Sequence, residues 1–339
     1  MNESEQSPQP RHGTPGRPTS LSVVIPVYNE EETLAVLVER LTVALDGMGG
    51  PDELSWQVIF VDDGSTDSSP ELLQNFHHRD SRIACITLSR NFGHQVAISC
   101  GLDYARGDAV IAMDGDLQDP PEVLPDLVAR WREGYEVVYA VRQKRKENIV
   151  KRAAYRSFYW LLNKVSYLDI PLDSGDFSLM DRRVVDLLRE MPERNRFVRG
   201  LRTWVGFRQT PYEYVRGARY AGTSKYTLPR LLRLAFDGLV SYSFVPLRLV
   251  SNIGLVVSLS SLVYLGYLTG AYWFGDRAVQ GWTSTVSIVL FLGGVQLLAL
   301  GIIGEYVGRV FDEVKRRPHY VISGVVGLDE DLPPRRPGF

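Results

Sequence analysis

Cysteine and histidine are scarce in this chain, with two and five residues respectively among 339. Two cysteines build neither a disulfide framework nor a zinc site. Cys85 and Cys100 both lie in apolar patterns, which predicts buried free thiols and agrees with a reducing compartment. Neither His94 nor His319 has a second histidine at ligand spacing, so the sequence does not favour a histidine-bound metal.

Glycine-rich phosphate-binding signatures are also missing. No G-x-G-x-x-G follows the first predicted strand, which argues against a dinucleotide-binding domain. No G-x-x-x-x-G-K-[ST] occurs, which argues against a P-loop nucleotidase. Internal repeats are not evident either. Two large classes of nucleotide-binding domain are therefore disfavoured.

Charge is absent from one long apolar stretch, Thr283–Gly304, and a second stretch, from Leu247 to about Tyr267, holds only Arg248. A helix of ~20 residues is long enough to cross a bilayer. The sequence therefore predicts a membrane region at 247–310 with two transmembrane helices, at about 247–270 and 283–306. A pair of buried core helices is the alternative, which the length and adjacency of the stretches disfavour.

Basic residues flank this predicted hairpin on both outer sides. They are Arg230, Arg233 and Arg248 before it, and Arg309, Lys315, Arg316 and Arg317 after it. By the positive-inside rule, both outer ends face the cytoplasm, together with the soluble part of the chain and both termini. Glu305 lies so close to the apolar stretch that we expect it to pair with Arg309 or with an arginine near the first span.

Composition divides the rest of the chain. Residues 1–20 are polar and rich in Pro, Ser and Gly without an apolar core, which predicts a disordered tail and not a signal peptide. Residues 21–225 predict a soluble globular domain, 226–246 an interfacial amphipathic segment and 311–339 a cytoplasmic tail. Within that tail, 317–322 is compatible with a short strand or an oligomer contact.

Short apolar strands alternate with amphipathic helices over the first 140 residues. The predicted strands are Ser22–Val27, Val58–Val61, Ile83–Leu88, Ala109–Met113 and Val137–Ala140, and the predicted helices are Glu31–Leu45, Ser68–His77, Gln95–Ala105 and Pro121–Glu133. This alternation predicts an α/β fold with a mainly parallel sheet. Ligands of such sheets bind beyond the carboxyl ends of the strands, so we expect functional residues just after them.

Two carboxylates, Asp114 and Asp116, follow the fourth predicted strand. On an extended segment both side chains share one face, where two like charges are unfavourable unless a cation lies between them. Carboxylate oxygens suit Mg²⁺ or Mn²⁺, which proteins commonly share with substrate phosphates. A solvated Asp-Gly turn is the alternative for an isolated pair. Polar clusters after the other strands favour the metal.

Those clusters follow the first three strands. They are Pro26–Glu31, Val61–Asp67 and Ser89–His94. Asp63, before a Gly-Ser-Thr turn, is suited to accept hydrogen bonds from a base or a ribose, whereas Asp67 is equally suited to cap a helix. Arg90 brings a cation to the same edge.

In this order and spacing, V-V-I-P-V-Y-N-E-E, V-D-D-G-S-T-D and D-G-D-L-Q-D-P-P-E resemble family 2 glycosyltransferases of the GT-A fold. R-N-F-G-H-Q, D-S-G-D-F-S-L-M-D-R and R-Y-A-G-T-S-K-Y, with the two predicted spans, narrow the resemblance to polyisoprenyl-phosphate glycosyltransferases. That group includes dolichyl-phosphate mannose synthases and bacterial undecaprenyl-phosphate glucosyltransferases. The resemblance covers roughly residues 20–325. It implies a Rossmann-like GT-A domain, a UDP- or GDP-sugar donor, a divalent cation and inversion at the anomeric carbon.

The resemblance also implies roles for individual residues. Nucleotide-binding residues would be Pro26, Tyr28, Glu30, Asp63, Arg90 and Asp114. Metal ligands would be Asp114, Asp116 and Gln118, whose amide oxygen suits a hard cation. A surface position in a proline-rich turn is the alternative for Gln118.

The implied acceptor is a phosphate monoester, whose second pKa of about 6 leaves it largely dianionic near neutral pH. Such an acceptor has a greater need for cations to hold it than for a base to activate it. Arginine suits bidentate recognition of a phosphate. Residues 182–233 hold thirteen Lys or Arg against four acids, and a second basic block begins at Arg142. Candidate phosphate ligands are Arg142, Lys151, Arg152, Arg156, Arg219 and Lys225. Lipid headgroups or solvent are their alternative partners.

Asp173 and Asp176, in D-S-G-D-F, are the candidate catalytic carboxylates, because the family pattern places one in this region. We favour Asp176, which would take a residual proton from the phosphate or orient the acceptor. A turn that closes onto a strand at Phe177–Met180 is the alternative.

Together these features predict a metal-dependent hexosyltransferase of the bacterial cytoplasmic (inner) membrane. It would move a sugar, with UDP-glucose as the first choice of donor, to a polyprenyl phosphate such as undecaprenyl phosphate. Mannose, N-acetylglucosamine, aminoarabinose and transfer to a lipid hydroxyl stay open, and a nucleotide-binding membrane scaffold is the non-enzymatic alternative. Two short spans and the lack of Q-x-x-R-W disfavour a processive polymerase. We expect no nucleic-acid partner, and a homo-oligomer is compatible with the family.

Overall fold

A computed structural model describes residues 19–49, 54–142, 174–194, 196–215, 245–273 and 281–328. The chain divides into two units. Among the described residues, the first unit holds 19–215 and 317–328, and the second holds 245–273 and 281–316.

The first unit is an eight-stranded sheet with helices. Its strands are β1 Thr19–Val27, β2 Leu54–Asp62, β3 Ile83–Leu88, β4 Ala109–Ala112, β5 Val137–Arg142, β6 Ser174–Asp181, β7 Gln209–Tyr214 and β8 Ile322–Val326. Its helices are α1 Leu34–Asp46, α2 Ser69–Arg79, α3 His94–Tyr104, α4 Leu124–Arg132, α5 Arg182–Glu190 and α6 Val198–Trp204, with a 3₁₀ turn at Pro121–Val123.

The strand order is β7-β5-β6-β4-β1-β2-β3-β8. β1 runs parallel to β2 and β4, β2 to β3, and β5 to β7. β6 is antiparallel to β4 and β5, and β8 is antiparallel to β3. The predicted α/β fold with a mainly parallel sheet is confirmed. A short strand, β8, does form in the tail, but at Ile322–Val326, so it shares only Ile322 with the range 317–322 that the sequence indicated. Parallel β1–β4 bring their carboxyl ends to one edge, where the polar clusters follow.

Apolar side chains cover both faces of this sheet. Val23 and Ile25 of β1 pack on one face, and Val24 between them packs on the other. Helices cover each face, for example through Leu37, Leu73 and Leu127 on the first and through Ile98, Val184 and Leu201 on the second. Burial of one such side chain stabilises the fold by about 1.5–3 kcal/mol. Two-sided burial explains why the second half of β1, Val23–Val27, is apolar without interruption.

Helix starts differ from the predicted ones for local reasons. α1 begins at Leu34 and not at Glu31, because the N–H groups of Thr33 and Leu34 both donate to the carbonyl of Glu30 in a turn, at 3.0 and 3.1 Å. The fourth predicted helix begins with the 3₁₀ turn and becomes α-helical at Leu124. Cys85 and Cys100 are buried thiols that are not joined in a disulfide, as predicted.

The second unit contains two long helices, α7 Val245–Trp273 and α8 Trp282–Val314, which contact each other. Apolar side chains on both are exposed, including Val263 at 75% and Leu297 at 72%. Among the described residues, one helical stretch, Phe291–Val314, is long and apolar enough to cross a membrane, and a shorter apolar stretch covers Val250–Ser261.

The predicted acid–base pair near the end of α8 is present. Glu305 Oε1 lies 2.9 Å from Arg309 Nη2, one helical turn away. The predicted amphipathic segment at 226–246 lies almost wholly outside the described residues.

Candidate active site

Asp114 lies two residues beyond the end of β4, at the carboxyl edge of the sheet. Its side chain is 25% exposed, and its Oδ1 makes no hydrogen bond although His94 Nε2 lies 3.3 Å away. Burial raises the pKa of Asp114 to about 6, against the opposing effect of His94. Asp119, Asp176 and Asp116 push this pKa in the same direction as burial. Negative charge thus accumulates around a carboxylate that has little solvent to stabilise it.

This environment fits a divalent cation. An orphaned, largely buried carboxylate oxygen is costly, and a bound cation would remove that cost. Asp116 Oδ1 accepts a hydrogen bond from the N–H of Gln118 at 3.1 Å, so the turn keeps these two predicted ligands together. No group of three or more His, Cys, Asp or Glu with metal-binding geometry occurs in the described part of the chain. The ligand set Asp114, Asp116 and Gln118 therefore stays a prediction.

The same turn has an uncommon backbone conformation. Leu117, between Asp116 and Gln118, has a φ of 58°, in the left-handed region. That conformation costs a non-glycine residue roughly 1–2 kcal/mol and tends to persist at functional sites. Gly115 packs close to β1, since a Cβ there would lie 3.3 Å from the Pro26 carbonyl oxygen. The turn is thus held against the end of β1.

His94, the first residue of α3, links two carboxylates. Its Nε2 lies 3.3 Å from Asp114 Oδ1 and 3.5 Å from Asp176 Oδ2. Burial acts to lower the pKa of His94, but Asp176 and Asp114 outweigh it, so the pKa is raised. The imidazolium form therefore balances the two acids. The sequence disfavoured a metal-ligand role for His94 and did not predict this contact with two carboxylates.

Asp176 belongs to β6 and is held by side chains from two helices. Its Oδ2 accepts a hydrogen bond from Gln95 Nε2 at 2.8 Å, and Arg199 Nη2 lies 3.7 Å from its Oδ1. Burial acts to raise the pKa of Asp176, but His94, Arg199 and Arg202 outweigh it, so the pKa is lowered. The carboxylate is anionic at neutral pH. Its position within a strand disfavours the simple turn that was the alternative for this residue.

Asp63, predicted to hold the nucleoside, makes two backbone contacts. Its Oδ1 accepts from the N–H of Phe92 at 2.7 Å and its Oδ2 from the N–H of Gly93 at 2.9 Å. These bonds fix the loop that carries Arg90, whose guanidinium stacks 4.1 Å over the Phe92 ring. Asp63 thus positions a neighbouring loop, and its contact with a nucleoside stays a prediction.

The loops after β1 and β2 brace each other. The N–H of Asn29 donates to Ser65 Oγ at 2.9 Å, and the N–H of Thr66 donates to Asn29 Oδ1 at 2.8 Å. The N–H of Glu30 donates to Ser69 Oγ at 3.1 Å. Tyr28 is left 46% exposed beside this brace. An exposed ring on a fixed loop is suited to stack against a base.

Gly64 is expected to tolerate no side chain. It has a φ of +71°, and a Cβ there would lie 2.5 Å from the Arg90 carbonyl carbon. We predict that Gly64→Ala lowers the free energy of unfolding by roughly 2–4 kcal/mol, through left-handed strain and a backbone clash. Thermal unfolding measures the loss. Gly134→Ala is the matched control, because Gly134 also has positive φ (+100°) but its nearest neighbouring atom is 3.7 Å away. Equal losses in the two variants would contradict the predicted clash.

Arg142 is the one predicted acceptor-phosphate ligand that the described residues include. It ends β5 and pairs with Tyr214 of β7, whose hydroxyl donates to Asp119 Oδ1. Arg142 Nε is buried without a hydrogen-bond partner, and its Nη2 would lie 3.4 Å from a Cβ at Gly175, next to Asp176. A cation therefore approaches β6 near the catalytic candidate. Lys151, Arg152, Arg156, Asp173, Arg219 and Lys225 lie outside the described residues.

Several residues of this site were not predicted from the sequence. Gln95, Arg199 and Arg202 contact or face Asp176, and Asp119 with Tyr214 flanks Arg142. His94 and Gln95 stand in the R-N-F-G-H-Q motif, which was the available signal for them. For Arg199 and Arg202, the only available signal in the sequence was the excess of basic residues over 182–233.

Comparison with known proteins gives two family matches, and it gives relatives that are similar over most of their length. Residues 22–188 match glycosyl transferase family 2, and residues 245–310 match the GtrB C-terminal hairpin. The chain is 45% identical to the uncharacterized glycosyltransferase YkcC of Bacillus subtilis over 91% of this chain and 94% of the relative. It is 41% identical to the SfII prophage-derived bactoprenol glucosyl transferase of Shigella flexneri over 89% of this chain and 97% of the relative.

A solved structure is also similar. It is glucosyl-3-phosphoglycerate synthase from Mycobacterium tuberculosis, in complex with Mn²⁺, uridine diphosphate and glucosyl-3-phosphoglycerate. The sequences are 17% identical, with a TM-score of 0.45, and the match covers 66% of this chain and 78% of that one.

Proposed function

The chain belongs to glycosyltransferase family 2, and from that premise we propose that it transfers glucose from UDP-glucose to a polyprenyl phosphate at a membrane surface. The observation that supports this most directly is the pair of carboxylates joined by His94. Asp114 stands at the sheet edge where donors bind in α/β folds, and Asp176 faces it from β6. The bactoprenol glucosyl transferase among the relatives supports the acceptor class and the sugar.

The donor side would use the loops at the ends of β1–β4. Asp114, Asp116 and Gln118 would hold Mg²⁺ or Mn²⁺, which when bound would offset the charge on the donor diphosphate. Pro26, Tyr28 and Glu30 would line the nucleoside pocket, while Asp63 keeps the Arg90 loop in place. The environment of Asp114 Oδ1 supports this assignment, because this oxygen is buried without a hydrogen bond and only the His94 ring, 3.3 Å away, offsets its charge.

The acceptor side would rely on cations. A phosphate oxygen forms the new bond to the anomeric carbon as the bond from that carbon to the donor diphosphate breaks, with inversion. Because the phosphate is already largely dianionic near neutral pH, little proton transfer is needed. Arg142, with its buried and unpartnered Nε, would hold the phosphate beside β6. Asp176, anionic by its lowered pKa, would orient the acceptor and take any residual proton.

The second unit would anchor the enzyme in the bacterial cytoplasmic membrane. Exposed apolar side chains along α7 and α8 suit contact with lipid. The hairpin match supports two crossings, and the flanking arginines support cytoplasmic outer ends. Both features suit an enzyme whose acceptor is a lipid.

A donor panel tests the proposal. The full chain in membranes is incubated with undecaprenyl phosphate, Mg²⁺ or Mn²⁺, and labelled UDP-glucose, UDP-N-acetylglucosamine, GDP-mannose or a UDP-aminoarabinose. We predict labelled lipid above all with UDP-glucose, and release of that label by mild acid, since a glycosyl phosphate hydrolyses easily. A labelled lipid that is stable to mild acid would indicate a hydroxyl acceptor. A preference for another donor would contradict the assignment of glucose. The absence of labelled lipid with every donor would favour a nucleotide-binding scaffold.

A further inference from the structure

The carboxamide of Gln95 connects two elements of the site. Its Nε2 donates to Asp176 Oδ2 at 2.8 Å, and its Oε1 accepts from the N–H of Val198, the first residue of α6, at 3.0 Å. The reverse amide orientation would set the NH₂ group against an N–H donor and the oxygen against a carboxylate. The two partners therefore fix which way the amide points.

Helix α6 also approaches the other oxygen of Asp176. Arg199, the residue after Val198, has its Nη2 3.7 Å from Asp176 Oδ1 and a buried Nε without a hydrogen-bond partner. Arg202, almost one turn further along, is 1% exposed and stacks 5.4 Å from the Tyr139 ring. The Asp176 carboxylate thus has an amide donor at one oxygen and cationic charge near the other. The hydrogen bond from Gln95 depends on angle and so restrains the orientation of the carboxylate, whereas the arginine charges stabilise its negative charge over a longer range.

We propose that Gln95 is a positioning residue for sugar transfer: it orients the Asp176 carboxylate and ties that orientation to the start of α6. This inference rests on the proposed function, because the orientation of Asp176 matters for rate only if this site transfers a sugar. An aspartate side chain on a strand can rotate unless it is held, and a misplacement of about 1 Å can cost on the order of 100-fold in rate. Gln95 supplies a short, direct restraint on that rotation.

Two substitutions of equal length separate this role from simple packing. Gln95→Met keeps the volume and removes both hydrogen bonds, whereas Gln95→Glu keeps the shape and sets a carboxylate against Asp176 Oδ2. In the donor and acceptor assay with the full chain, we expect kcat to fall about 10-fold for Gln95→Met and about 100-fold for Gln95→Glu. The KM for UDP-glucose should change less than about twofold, because the donor loops are not touched.

Ser99→Ala is the matched control on the same helix. Its hydroxyl donates to the Gln95 carbonyl at 2.8 Å, so this variant also loses a hydrogen bond of the same helix but leaves Asp176 untouched. Its kcat should stay within about twofold of wild type. A lowered melting temperature with unchanged kcat in both Gln95 variants would overturn the inference, as would equal losses of kcat in Gln95→Met and Gln95→Glu.

A double-mutant cycle covers the case in which one variant fails to fold. In an Asp176→Asn background, the surviving Gln95 substitution should lower the residual kcat by less than about twofold, because its effect passes through Asp176. The same fold-loss in both backgrounds would overturn the proposal. Wild-type protein that transfers no sugar would refute the proposed function itself, and this inference with it, so the two failures are distinguishable.

Discussion

Replacement of Asp114 with Asn should have opposite effects on catalysis and on stability. We expect kcat/KM for glucose transfer to fall about a thousandfold, or ~4 kcal/mol of transition-state stabilisation, because the site loses the charge that would hold a cation beside the donor diphosphate. The metal-free protein should gain roughly 1–3 kcal/mol of unfolding free energy, because burial raises the pKa of Asp114 to about 6 despite the nearby His94, so the charge that Asn removes is unfavourable at neutral pH. Transfer assays and thermal unfolding in chelator measure the two effects.

Asp116→Asn and Glu39→Gln complete this test. Asp116→Asn should lose transfer to a similar degree, whereas Glu39→Gln, on the exposed side of α1, should change neither quantity. Added Mn²⁺ should raise the melting temperature of wild type and of Glu39→Gln but not of Asp114→Asn. Transfer within tenfold of wild type in both aspartate variants would contradict the metal assignment.

The sheet edge was predictable because its signals are local. β1 and β3 are short apolar runs, and a polar cluster follows each one, so their carboxyl ends could be read from adjacent residues. Asp114 follows β4 in the same way. The rule that ligands bind beyond such ends then brings four distant segments together without any knowledge of their contacts. The length of the two apolar stretches and the charged residues that flank them were enough to predict the C-terminal helices. α8 is longer than predicted, since it continues through Glu305 and Arg309 to Val314.

The inner contacts of the site were not predictable, because they join residues that are far apart in sequence. β6 inserts antiparallel between β4 and β5, and this order sets Asp176 opposite His94. Gln95 meets the N–H of Val198 across 103 positions. The periodicity of the sequence does not predict this contact, since the contact depends on how α3 and α6 pack on the same face of the sheet. Asp63 illustrates the converse, because its motif predicted a ligand contact while its side chain bonds to the backbone of the next loop.

Asp176→Asn should lower kcat on the order of 100-fold while the KM for UDP-glucose changes little. The amide keeps the size of the side chain but removes the negative charge that faces His94 and Arg199. Steady-state kinetics with undecaprenyl phosphate measures the change. Asp181→Asn is the control on the same strand, since Asp181 bonds to Trp131 and Arg183 at the far end of β6 and should affect stability more than rate. A larger loss of kcat in Asp173→Asn would transfer the catalytic assignment to that residue.

The pH profile separates the two roles open to Asp176. Its pKa lies below the ordinary carboxyl value, so it stays ionised across the neutral range and loses its charge only in strong acid. The acceptor phosphate, by contrast, gains a proton as pH falls through about 6. If Asp176 orients a dianionic acceptor, the acid limb of kcat/KM lies near pH 6 in wild type and persists in Asp176→Asn at a lower plateau. If Asp176 is an obligatory base, its removal leaves little transfer at neutral pH, and the residual rate rises with hydroxide concentration. The lowered pKa favours the first outcome, because a carboxylate so well stabilised as an anion is a weak base.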